Sequence, residues 1–220
     1  MFVSLAVFAL SAPPAPVEAP RYYFILFGGQ SIPYRPRTAH TWATFVKTTP
    51  AGDGTHAVEQ VTISWLPADG PVQPLRLRSV PGKNYSLDET FAIAASNGAR
   101  VSVWGPFETD ATRYELAVAQ ANALSSGAIR FRSIDSLRGN RGVQNCVHAI
   151  TYADPNLQHL RQPIPVRYGE PGTSRLAAKY VASGAVAGPV AHDWVLHATG
   201  IDRFAVVRRA PGERIPRQLR

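Results

Sequence analysis

The chain holds one cysteine, Cys146, in the stretch Val143-Gln144-Asn145-Cys146-Val147-His148-Ala149-Ile150. Asparagine is a favoured N-cap, so Asn145 predicts a helix that opens at Cys146. A thiol in a first helical turn lies near free backbone amides and the positive end of the helix dipole, and both favour the thiolate. The same amides could donate to an oxyanion forming on a substrate carbonyl. The competing reading is a small, inert core residue. A thiolate nucleophile also needs a base. The histidines are His40, His56, His148, His159, His192 and His197. His148 is two positions from Cys146, which on a helix turns it to another face and suggests a structural role. His40 opens a strand-like run just after a Pro- and Arg-rich loop, where an imidazole can be held rigidly beside an open cleft. A hydrogen-bonded strand-end histidine is the plainer alternative.

Elements that could hold these two groups are legible in the flanking sequence. Arg21–Gly28 is an apolar, aromatic run closed by Gly28-Gly29, which predicts a buried strand. Thr41–Thr48 and Val58–Leu66 are β-prone and flank the turn-forming segment 49–55, which predicts a hairpin. Ser86-Leu87-Asp88-Glu89 has the capping-box pattern, and Asn97-Gly98 would end its helix. Arg100–Trp104 reads as a strand and Gly105-Pro106-Phe107 as the turn after it. A helix capped at Thr109 or Asp110 carries Tyr114, Ala117, Val118, Ala121 and Leu124 on one face, with Gly127 as its stop. Ala128–Ile134 alternates as a strand, Thr173–Ser183 is a further helix, and Phe204–Arg208 a last strand. Trp65 and Trp104 read as core, and Gln30 as a turn residue that could line the cleft. Helices and hairpins interspersed in this way predict an α+β fold with an antiparallel sheet packed against helices.

This order of elements resembles the circularly permuted papain-like thiol hydrolases, a group that includes NlpC-like and lecithin retinol acyltransferase-like enzymes. The residues that carry the likeness are the histidine strand (AHTWATFVK), its hairpin partner (VEQVTISWLP), the amphipathic helix (YELAVAQANAL), the next strand (AIRFRSID) and NCVHAI. They span about Thr38 to Ala153. Asn145-Cys146 with His148 looks like the NCxHF-type motif of that group, with Ala149 in place of its aromatic residue. The resemblance implies a permuted papain-like fold, Cys146 as nucleophile and His40 as general base. It implies a cysteine hydrolase acting on a peptide, amide or acyl-ester substrate through a thioester. Members of the group orient the imidazole with a third polar residue. A hairpin turn centred near Gly52-Asp53 would set Ser64 opposite His40, with Thr62, Glu59 and His56 as alternatives. Serine departs from the usual His, Glu or Asn. The other reading is a non-catalytic cell-envelope or interaction domain on the same scaffold.

Composition bounds both readings. The 220 residues include 45% apolar and 17% charged residues, enough apolar material for a sizeable core and too little charge for a disordered polyampholyte. A single cysteine excludes an intramolecular disulfide framework and a zinc site built on several thiolates. No phosphate-cradling glycine pattern or metal-spaced cluster is present, so no cofactor or metal is expected. The net charge is +8, almost all of it arginine, and Arg208, Arg209, Arg214, Arg217 and Arg220 crowd the last thirteen residues. No aromatic stripe interleaves with the basic residues, so a nucleic-acid partner is not expected. Phe2–Leu10 is an apolar run of signal-peptide length, too short to cross a bilayer, followed by the spacer PPAPVEAP. The expected organisation is a signal peptide and spacer over 1–20, one α+β domain over 21–209 and a basic flexible tail over 210–220, in an exported protein.

Overall fold

The computed structural model describes residues 18–51, 54–134, 142–158, 160, 169–187 and 192–216. The expected signal peptide lies outside them, apart from the last residues of the spacer. The strands are β1 (Arg21–Ser31), β2 (His40–Pro50), β3 (His56–Ile63), β4 (Trp65–Pro67), β5 (Val80–Asn84), β6 (Ala99–Thr109), β7 (Arg130–Phe131), β8 (Val143–Gln144) and β9 (Val206–Arg208). The helices are α1 (Leu87–Ser96), α2 (Ala111–Ser125), α3 (Cys146–Thr151), α4 (Glu170–Ala182) and α5 (Asp193–Ala198). The main sheet runs β3-β2-β1-β6-β9, antiparallel except for the parallel pair β6–β9. A smaller sheet runs β4-β5-β7-β8. The fold is mixed α+β.

The unbroken apolar run of β1 follows from its central place. It is paired on both edges and covered on both faces, so no position needs to be polar for water. Phe24 and Leu26 face one core with helices α2, α3 and α4. Tyr23, Ile25 and Phe27 face a second core with α1 and α5. β2 alternates in the same way: Ala43 and Phe45 join the first core, Trp42 and Val46 the second.

β6 is longer than its sequence suggests. It passes straight through Gly105-Pro106, and its register against β1 shifts between Phe24 and Leu26. Proline offers no ladder donor there, so the strand carries one extra residue as a bulge. Trp104 and Phe107 therefore face the same core despite their odd spacing. The expected strand over 128–134 shortens to β7, and β5, β8 and α5 were not legible from periodicity. Helix α1 has the complete capping box at Ser86 and Glu89, and Asp110 caps α2. The tail is not frayed over 210–216: Trp104 Nε1 donates to the Ala210 carbonyl at 3.1 Å, Ser174 Oγ to the Glu213 carbonyl at 2.8 Å, and Ile215 is buried in the first core.

Helix α4 is pinned across the sheet by buried charge. Glu170 is fully buried and accepts hydrogen bonds from Arg100 and Ser102 of β6. Gln30, at the end of β1 and not in a turn, accepts from the Glu170 amide at 3.2 Å. Gly28 lets α4 come this close, since a Cβ there would stand 2.6 Å from Thr173 Oγ1. Replacing Arg100 by leucine strands a buried carboxylate. We expect it to lower stability by about 3–5 kcal/mol in urea unfolding; a change below about 1 kcal/mol would show that the pair is not needed. Gly82 has the other tight approach, with the Trp65 ring 2.1 Å from where its Cβ would be. Gly82→Ala is expected to shift the urea midpoint down by the equivalent of about 1–3 kcal/mol.

Candidate functional site

His40 begins β2 and is 7% exposed. Its ring stacks on Trp42, with centroids 5.4 Å apart and planes at 18°. Nε2 lies 2.9 Å from Ser64 Oγ, and Thr90 Oγ1 of α1 donates to that same oxygen at 2.7 Å. The β2–β3 ladder pairs Thr44 with Thr62 and Pro50 with His56, so its axis falls one half-step beyond the turn centre expected from sequence. Continued past Ala43–Ile63, that register sets His40 opposite Leu66. Ser64 reaches the imidazole as its diagonal neighbour on the same face. The other candidates are spent elsewhere. Thr62 bonds Thr44, Glu59 pairs with Lys47 at 2.7 Å, and His56 sits at the far end of the hairpin against Trp194.

Burial pushes the His40 pKa down from 6.5 to about 3, because the cation would lose its hydration with no acid beside it. The ring is therefore neutral at pH 7. Its Nδ1 is buried without a hydrogen-bond partner among the described residues. His40 lines a cleft of about 690 Å³ between the loop 34–39, the segment 66–72 and α1, which contributes Ile93 beside the helix-capping Asn97. Arg35 and Arg37 are exposed on its rim, and no hydrogen bond or ion pair of either guanidinium is present among the described residues. The lining holds no Asp or Glu.

Cys146 lies elsewhere. It is the first residue of α3, capped as expected by Asn145, and it packs in the first core with Ala39, Ala43 and Phe45. His40 and its stacking partner Trp42 face the second core, toward α1. Thr41, between them in the chain, points the other way and bonds Thr173 of α4 at 2.8 Å. The structure thus brings His40 and Ser64 together and sets Cys146 on the opposite face of β2. The cavity at Cys146 is only about 10 Å³, room for about one water. Ala39, Leu66 and Val72 line both this cavity and the His40 cleft, so the two adjoin. The amides of Val147 and His148, in the first turn of α3, both donate to Asn145 Oδ1 at 2.9 Å. His148 is structural: its Nε2 lies 2.7 Å from the Leu160 carbonyl.

Among the described residues no cluster of three or more His, Cys, Asp or Glu could hold a metal ion, and no helix is long and apolar enough to cross a membrane. The sequence reading missed the Arg35–Arg37 rim, which only the folding of the loop over the cleft reveals. Comparison with known families, curated proteins and solved structures returned no match to this chain.

The depressed His40 pKa has a measurable consequence. Below about pH 6.5 the unfolded chain takes up a proton that the native ring refuses until about pH 3. The stability that His40 contributes is complete above pH 6.5 and is lost as pH falls through that window, by about 1.4 kcal/mol per unit. Urea unfolding of wild type and His40→Gln from pH 7 to pH 4 should give curves that converge at low pH. Parallel curves would contradict a buried neutral imidazole.

Proposed function

We propose that the chain is a binding module, the non-catalytic reading, and that its cleft at His40 takes an anionic ligand of small-molecule or short-peptide size. The observation that carries this is the composition of the cleft: two exposed arginines on the rim whose guanidiniums have no partner among the described residues, and no Asp or Glu in the lining. Arginine's planar fork suits carboxylate or phosphate, and a charge-assisted hydrogen bond is stronger than a neutral one. The volume lies within the usual range for ligand pockets.

The thiol-hydrolase reading has its own support. Asn145-Cys146 opens a helix packed on the His40 strand, the arrangement expected of a permuted papain-like scaffold. That chemistry needs sulfur and imidazole on one side of β2 and a substrate-sized opening at Cys146. The geometry supports the binding module better on both counts.

Titration calorimetry of the full chain with inorganic phosphate, a triglutamate peptide and a triglutamine peptide tests the proposal. We expect an anionic probe to bind and the neutral peptide not to. Arg35→Gln/Arg37→Gln should weaken that binding at least tenfold, and rising salt should weaken it further. Equal binding of charged and neutral peptides, or full binding by the double variant, would overturn it.

A further inference from the structure

The segment between β4 and β5 displays apolar side chains in a way that soluble loops avoid. Leu75 is 83% exposed and Leu77 is 85% exposed, the most exposed large apolar residues described. They alternate with Arg76 and Arg78, also exposed, for whose guanidiniums no partner is present among the described residues. Asp69 is the one acidic residue between Glu59 and Asp88.

The display is held in place from below. Arg132 Nη1 donates to the Leu77 carbonyl at 3.2 Å. Arg130 donates from Nε to Ser79 Oγ and from Nη2 to the Ser79 carbonyl, both at 3.1 Å. Ser133 Oγ donates to the Gln73 carbonyl at 3.3 Å, and the Arg76 amide closes a turn onto that same carbonyl. The backbone is thus tied to the segment around β7 while the leucine side chains make no use of the core below them. Holding two leucines in water costs free energy that burial in an apolar phase would return.

We propose that this loop docks the protein on the surface of an anionic lipid bilayer. Leu75 and Leu77 would enter the boundary between headgroups and acyl chains, and Arg76 and Arg78 would meet lipid phosphates. The alternation suits this occupant: paired apolar insertion and basic contact are the two terms that drive interfacial binding. A nucleic acid would want aromatic stacking in place of the leucines. The loop continues from Gly70, Pro71 and Val72 of the cleft wall, but the inference does not depend on what the cleft binds.

Co-sedimentation of the full chain with phosphatidylcholine vesicles, with and without about a third phosphatidylglycerol, tests the proposal. Wild type should partition onto the anionic vesicles and at least tenfold less onto the neutral ones. Leu75→Ser/Leu77→Ser should lose about a hundredfold in partitioning, near tenfold per leucine. Arg76→Gln/Arg78→Gln should lose at least tenfold and much of its salt dependence. All four side chains are exposed, so the variants should melt at the wild-type temperature. Indistinguishable sedimentation of wild type and the leucine variant overturns the proposal, whichever other segment then holds the vesicle. So does failure of wild type to bind anionic vesicles, or retention by a single-stranded oligonucleotide that the arginine variant alone abolishes.

Discussion

A β-strand sends consecutive side chains to opposite faces, and that parity at the start of β2 decides what this molecule can do. Ala43 and Phe45 belong to the core that contains α3 and Cys146, while Trp42 and Val46 belong to the core under α1. His40 shares the parity of Trp42 and stacks on it. An imidazole one position earlier or later would look toward the face that α3 and α4 cover. As the chain stands, the one thiol and the best-placed imidazole belong to two environments, one a tight apolar packing and the other the wall of an open cleft.

The energetics reinforce the separation. Trp42, Ser64 and Thr90 fix the His40 ring from three elements, β2, the break between β3 and β4, and α1. Turning it toward Cys146 would forfeit both the stack and the hydrogen bond to Ser64, which would keep only its bond from Thr90. On the other face, the Glu170 carboxylate ties α4 to β6 through Arg100 and Ser102, and Thr173 ties it to β2 through Thr41. That face is closed by a buried ion pair whose partners have no better place to go.

Much of the scaffold was legible because it is encoded locally. The capping box at Ser86, the caps at Asp110 and Asn145 and the hairpin of β2 and β3 depend on residues a few positions apart, and the structure has each of them. Features that depend on distant partners were not. Gly105-Pro106 carries turn chemistry but forms a bulge, because β1 supplies the ladder on its other side. Arginines in the last segment look like a solvated tail, yet Ile215 anchors it in the core. Gln30 and Glu170 are 140 positions apart, and nothing in either local sequence signals their contact. For the site, the choice of Ser64 beside His40 survived a register different from the one assumed, since a diagonal neighbour on the same face still reaches. The meeting of Cys146 with His40 rested on element order, which fixes which strand and helix are adjacent but not which face of the strand the helix covers.

The rate of iodoacetamide alkylation of Cys146 between pH 5 and pH 9, in wild type and in His40→Gln, tests this arrangement most directly. The account predicts slow modification of the folded protein and profiles of the same shape in both proteins. Rapid alkylation of wild type below pH 7 that disappears in His40→Gln would show that the thiol and the imidazole act as one unit, and would contradict it.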